Sequence, residues 1–400
     1  MASFPRKLTI KLEERTRQNS LRELPSSNNL IDFFSNDYIG FAKNTGIFQA
    51  ASKILKEKNI IQNGATGSRL ISGNYGLYIE LEKYTSEFHN TQTALAFNSG
   101  YDANVGFFSA VPQRNDIIFY DEFIHASIRD GIAMSNAKGY KFKHNSLDDL
   151  KKVINRVLTS LDFLNHNLMK DYSQNEIYVV TESVFSMDGD SPDLKAFADF
   201  CSNENHHLVV DEAHAIGVFG NKGQGLLYEL GLQNQVFAQI VTYGKAMGCH
   251  GAAILGSQQL KDFLVNFARS FIYTTGLPPH AIATILAAYT KLSNKNETID
   301  SFVHRLDLLE NIGYFKSQLV ALQLTSFFIP SNSAIHCCVI SGNEKVKVIA
   351  SEIQKRGFAI KAIVAPTVPK GQERLRFCLH SYNKKEEIKE VLTILKGLIS

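Results

Sequence analysis

Residues 207–214 read HLVVDEAH and residues 238–245 read AQIVTYGK. Each carries a short, mostly apolar run, LVV in the first and IV after Ala238 and Gln239 in the second, and closes on residues able to do chemistry, Asp211 and His214 in the first, Thr242 and Lys245 in the second. A strand with one wet face alternates apolar and polar residues, whereas a strand covered on both faces is apolar throughout. The same kind of run recurs outward from this pair as TALAF (93–97), DIIFYD (116–121), EIYVVTE (176–182) and AAILGS (252–257), with helical stretches between. Short apolar strands alternating with helices predict an α/β fold, a mostly parallel central sheet flanked by crossover helices. Ligands of such sheets bind beyond the carboxyl ends of the strands. The residues that close the runs are therefore the candidate site, and Glu182, Ser183 and Ser186 join it after one run, Ser99, Gly100 and Tyr101 after another.

Lys245 stands among small and apolar residues, with glycines at 244, 248 and 251 and no acidic residue within ten positions on either side. A buried, unpaired ammonium is costly and is relieved by loss of its proton, which leaves a nucleophile suited to a Schiff base. The competing reading is a solvent-facing lysine with its stem over apolar neighbours. Asp211, at another strand end 34 residues earlier, favours the first. Pyridoxal 5'-phosphate uses this combination: a lysine for its aldehyde, an acid for its ring nitrogen, and N–H groups and hydroxyls for its phosphate. NSGY (98–101) and Thr242 can supply the last.

Two rivals arise from the same stretch. DEAH also labels nucleic-acid helicases, but those need a G-x-x-x-x-G-K-[ST] phosphate loop, and Lys245 is followed by Ala246 while Gln239 stands five before Gly244. A metal site from His206, His207, Asp211 and His214 lacks a fixed third ligand, and no metal is expected. The net charge of +3 on 400 residues gives no argument for nucleic acid or a membrane surface as partner. Five cysteines, at 201, 249, 337, 338 and 378, form no CxxC pair, which fits a reducing cytoplasm. The start, MASFPRKLTIKLEERTRQNS, turns charged too soon for a signal peptide, and no apolar run approaches a membrane span. Residues 7–24 read as an exposed amphipathic helix, 281–325 as helical, and the remainder as an α+β region with strands AIHCCVIS (334–341) and RLRFCLH (374–380) and helices at 344–356 and 384–398.

The segments GATGSRLISGN (64–74), NSGYDAN (98–104), HASIRDG (125–131), TESVFSMDGD (181–190), DEAHAIGVFG (211–220), VTYGKAMGCHGAA (241–253), IYTTGLPP (272–279) and PTVPKGQERLR (366–376) resemble the α-oxoamine synthase family of fold-type-I pyridoxal phosphate transferases. The resemblance runs from about residue 8 to 395. It implies a homodimer with shared active sites, and divisions at 1–45 (N-terminal helix and arm), 46–285 (large cofactor-binding domain) and 286–400 (smaller α+β domain). The reaction it implies most directly joins L-alanine to a pimeloyl thioester, carried by coenzyme A or a carrier protein, with loss of carbon dioxide. Glycine with acetyl- or succinyl-CoA, or serine with palmitoyl-CoA, are the family's other pairings, and a silent partner subunit would lack Lys245.

The resemblance also implies roles. Lys245 matches the Schiff-base lysine, Asp211 the partner of the pyridinium nitrogen, His214 the residue bonding the cofactor's phenolic oxygen, and His125 the histidine stacked on the ring. Ser186 matches a polar residue at the cofactor's edge; Gly100, Tyr101 and Thr242 match phosphate contacts; Thr274 and Thr275 match contacts from the partner subunit. Asn36, Arg22 and Thr367 match substrate-side residues, Arg22 toward the acyl chain's distal carboxylate. The sequence departs from the pattern at Tyr78, where relatives often carry histidine, and at Val364, where relatives carry an arginine that grips the amino-acid carboxylate. Lys361 is the first candidate to replace that cation, provided the segment bends at Pro366, and Arg376 is the second.

Overall fold

The computed structural model describes residues 4–22, 24, 29–160, 175–293 and 300–399. Contacts divide the chain into two compact units, one formed by 37–186 and 191–305, the other by 1–36, 187–190 and 306–400. Neither expected division, at 45 and at 285, coincides with these bounds, and the helix Pro279–Ser293 runs unbroken through the second. In chain order the strands are β1 (Ile31–Asp32), β2 (Thr93–Phe97), β3 (Ile117–Asp121), β4 (Lys138–Phe142), β5 (Ile177–Glu182), β6 (His207–Asp211), β7 (Ala238–Thr242), β8 (Ala252–Gly256), β9 (Ile335–Val339), β10 (Phe358–Ala359), β11 (Lys361–Ile363) and β12 (Arg374–Cys378).

The larger unit is built on a seven-stranded sheet of order β2-β8-β7-β6-β5-β3-β4. Strands β7, β6, β5, β3 and β4 pair in parallel, and β8 runs antiparallel to both its neighbours, β7 and β2. The continuous apolar runs have a direct cause here, because successive residues feed opposite cores. Ile118, Val180 and Val209 pack on one face with Phe97, Phe107 and Ile128. Ile117, Phe119, Val179, Leu208 and Val210 pack on the other with Leu150, Phe197 and Leu227. At about 1.5–3 kcal/mol for each large side chain buried, these two layers hold the sheet edge-on and fix its strand ends as a rigid row.

The smaller unit carries the antiparallel sheet β11-β12-β9 and the parallel pair β1-β10, with helices Asn343–Lys355 and Lys385–Ile399. The N-terminal helix spans Arg6–Arg17 and buries none of its residues. It stops at Arg17, seven residues before the end expected from its periodicity, and Asn19, with a left-handed φ of 49°, turns the chain away just beyond it. The expected helical stretch 281–325 contains two helices, Pro279–Ser293 and Asp300–Ala321; residues 294–299 lie outside the described set. Among the described residues no helix is long and apolar enough to cross a membrane.

Candidate active site

Four strand ends of the larger unit converge on one constellation. Strand β2 ends at Phe97, and Ser99 then caps the helix Gly100–Ala110, its Oγ accepting from Asp102 N at 3.0 Å. That helix start abuts the end of β7: a Cβ added to Gly100 would stand 3.6 Å from Thr242 Oγ1. Free N–H groups at the first turn and a threonine hydroxyl beside them make an anion cradle. One turn further along the same helix face, Asn104 is buried and donates to Asp211 Oδ2 at 2.9 Å and to Ser127 Oγ at 3.0 Å. Asp211 Oδ1 accepts from Ala213 N at 2.9 Å, so both carboxylate oxygens at the end of β6 are oriented.

Ser127 lies 2.7 Å from His125 Nδ1, and the His125 backbone N–H donates to Glu182 Oε1 at 2.6 Å. His125, Ser127, Asn104 and Asp211 thus form one connected chain. Glu182, on β5, is in register with Asp211 on β6. Burial, and after it the charge of Asp211, pushes the Glu182 carboxyl well above its ordinary range. Burial also lowers His125, which favours a neutral imidazole.

Beyond β7 the chain makes a tight loop before β8. Tyr243 N donates to Gly251 O at 2.9 Å, Cys249 N to Tyr243 O at 2.8 Å and Gly248 N to Lys245 O at 2.8 Å. The glycines are there because Gly248 has a φ of +62°, and a Cβ on it would stand 2.2 Å from Ala42 N. Held this way, half-buried Lys245 places Nζ 2.6 Å from His214 Nε2, and His214 Nδ1 lies 2.7 Å from Tyr38 Oη. The lysine therefore faces an imidazole at the strand ends.

Other expected residues fall in different surroundings. Tyr101 is half exposed and donates its hydroxyl to Asp130 Oδ2 at 2.7 Å, which leaves its backbone, at the helix start, facing the cradle. Thr274 Oγ1 accepts from Asn98 Nδ2 at 3.0 Å, and the same amide donates to Thr275 O at 2.6 Å, so within one chain both threonines are tied next to the cradle. Ser186 is half-buried shortly after β5. Tyr78, where relatives often carry histidine, accepts from Leu277 N at 2.6 Å, and the Arg69 guanidinium lies 3.8 Å over its ring. The metal rival is split: His206 and His207 belong to the start of β6, with His207 Nε2 2.7 Å from Glu176, while Asp211 and His214 belong to its end, roughly 13 Å away at strand rise.

In the smaller unit Arg22 is exposed beyond the N-terminal helix, and Thr367 is exposed in a turn in which its N–H donates to Val364 O at 2.9 Å. The segment does bend there. Lys361, however, is exposed on the edge strand β11, opposite Arg376 of β12. Arg376, the second candidate, is buried. Its guanidinium donates to Asn36 Oδ1 at 2.9 Å and to Cys378 Sγ at 2.9 Å. Sequence reasoning gave no role to Tyr38, Asn104 or Ser127. The i, i+4 spacing of Gly100 and Asn104 was the one local signal among them.

The donor set fits pyridoxal phosphate: a lysine amine, an oriented carboxylate, two imidazoles, and a helix start with an adjacent hydroxyl for a phosphate. Comparison with known proteins agrees. The sequence profile described as aminotransferase class I and II matches residues 28–395. The chain is 38% identical over 389 residues to 8-amino-7-oxononanoate synthase of Emericella nidulans, covering 95% of this chain and 91% of that protein. It is 33% identical over 372 residues to the putative 8-amino-7-oxononanoate synthase of Rippkaea orientalis, with 93% and 90% covered. Among solved structures, serine palmitoyltransferase of Sphingomonas wittichii shares the fold, with a TM-score of 0.85, 23% identity, and 99% and 98% of the chains covered. The 8-amino-7-oxononanoate synthase of Francisella tularensis matches with a TM-score of 0.74 at 26% identity, over 93% and 98%. Fold and site together define a fold-type-I pyridoxal phosphate transferase, and the chain belongs to the class I and II aminotransferase family. Within that family its place is with the 8-amino-7-oxononanoate synthases.

Proposed function

We propose that the chain condenses L-alanine with a pimeloyl thioester to give 8-amino-7-oxononanoate, carbon dioxide and the free thiol carrier. The observation that carries this reading is the Lys245–His214 contact of 2.6 Å in a chain whose relatives bear that enzyme's name. Bound in the site, pyridoxal phosphate would supply an aldehyde for the alanine amine and a ring able to accept an electron pair. The helix start at Gly100 and the Thr242 hydroxyl hold its phosphate, with Tyr101 contributing backbone. Asp211, oriented by Asn104 and Ala213, would hold the ring nitrogen and keep a proton on it. His125, fixed by Ser127 and Glu182, would cover its ring, His214 Nε2 would donate to its phenolic oxygen, and Ser186 would stand at its edge.

Lys245 Nζ would take the alanine α-proton and later return a proton to the product carbon. The alanine carboxylate, which leaves as carbon dioxide, needs a cation until then. Arg376, preorganised by Asn36 and Cys378, suits that task better than exposed Lys361. Arg22 and Thr367 are assigned to the acyl chain, and Thr274 and Thr275 to the neighbouring subunit of a homodimer acting in the cytoplasm. The test is to supply alanine with pimeloyl-CoA and read free thiol, beside glycine with acetyl- or succinyl-CoA and serine with palmitoyl-CoA. The first pair should turn over fastest; a faster rate with either other pairing moves the protein to another branch of the family.

A further inference from the structure

The turn Asp37–Lys43 touches His214 and the loop that carries Lys245. Asp37 closes it, its carbonyl accepting from Gly40 N at 3.0 Å and its Oδ1 from Ala42 N at 3.1 Å. Ala42 packs against Gly248 in the lysine loop so closely that a Cβ there would stand 2.2 Å from Ala42 N. From the same turn Tyr38, fully buried, reaches His214 with Oη 2.7 Å from Nδ1. A neutral imidazole has one N–H and one bare nitrogen, and the partner of one nitrogen decides the state of the other. Toward a cofactor's phenolic oxygen Nε2 is useful only as a donor, since that oxygen accepts, and toward Lys245 it donates when the lysine is a free amine. Nδ1 must then accept, and the hydroxyl seated on it is that of Tyr38.

We propose that Tyr38 is a positioning residue: its phenol donates to His214 Nδ1 and holds the ring in the tautomer that carries its proton on Nε2. The inference rests on the cofactor reading above, yet it is tested without the cofactor. In protein labelled with 15N-histidine and freed of cofactor, with the resonances assigned by comparison with His214→Gln, Nδ1 of His214 should be unprotonated and Nε2 protonated near neutral pH. In Tyr38→Phe, which keeps the ring and removes the hydroxyl, that pattern should be lost to a mixture of tautomers. Affinity for pyridoxal phosphate should then fall about three- to tenfold, with the thermal midpoint of the cofactor-free protein little changed. A wild-type His214 carrying its proton on Nδ1 or on both nitrogens overturns the proposal, as does an unchanged tautomer in Tyr38→Phe. The wild-type measurement decides even where the variant fails to fold. Failure of the wild type to develop a visible band with pyridoxal phosphate would sink the cofactor reading and leave the tautomer result standing.

Discussion

The amine of Lys245 and Nε2 of His214 are close enough to share a single hydrogen bond, which places the nucleophile rather than leaving it to sweep the solvent. Borohydride treatment of protein loaded with pyridoxal phosphate should fix the cofactor on Lys245, and Lys245→Ala should bind cofactor weakly and complete no turnovers. Peptide mapping that finds the label on another lysine defeats the assignment. Arg376 is buried with its guanidinium already aimed by Asn36, so its loss removes a charge-assisted contact without a flexible substitute. Arg376→Ala should weaken alanine binding roughly ten- to a hundredfold, about 1.5–3 kcal/mol. Lys361→Ala, on an exposed edge position, should leave alanine affinity unchanged in the same spectral titration. The reverse outcome restores Lys361.

Among the elements, the site depends on a loop that tolerates no side chain at Gly248. The stretch from Tyr243 to Gly251 is closed by backbone hydrogen bonds, and Gly248 needs both a left-handed backbone and room against Ala42. Gly248→Ala should cost about 1–2 kcal/mol for the backbone conformation alone, and the overlap with Ala42 adds to it. Because the strain falls three residues from Lys245, cofactor affinity should drop along with the urea midpoint. Gly231→Ala, also at positive φ but with open space around it, serves as the control that carries the first cost without the second. Equal losses in the two variants would mean that the contact with Ala42 does not brace the loop.

For the molecule as a whole, buried titratable groups set the response to acid, and they pull in opposite directions. Glu212 is fully buried, its carboxyl pushed up to about 7, and Glu182 is raised as well, so both favour the folded state at lower pH. His336, in β9 among Phe315 and Phe377, is buried and pushed down to about 3 by desolvation. Below about 6.5 the unfolded chain binds a proton there that the folded chain refuses, so this group's contribution falls as pH drops and levels off near 3. The opposing carboxyls make the overall profile a poor readout, and a difference isolates the histidine. His336→Leu should gain on the wild type by about 1.4 kcal/mol per pH unit as pH is lowered through this window, measured by urea unfolding. A constant offset between the two would show that His336 titrates normally.

The strands and their ends follow from the pattern of apolar runs. Runs such as LVV (208–210) are apolar on every residue because both faces are covered, and the residues after them had to lie at the carboxyl edge, where Asp211, His214, Thr242 and Lys245 are found. The sequence could not show which of those ends stand side by side, because a run of apolar residues specifies a strand and not its neighbours. Pairing brought Asn104 to Asp211, 107 positions away, and the turn at Tyr38 to His214, 176 positions away. The same limit explains Arg376. An arginine between Leu375 and Phe377 reads as the wet face of an alternating strand, yet β12 lies between β9 and β11 and is buried along its whole length. Only the tertiary structure supplied Asn36, 340 positions earlier, as the acceptor that makes a buried guanidinium tolerable. Local pattern follows from which residues must leave water, whereas the partners of a buried polar group are chosen by the packing that puts them within 3 Å.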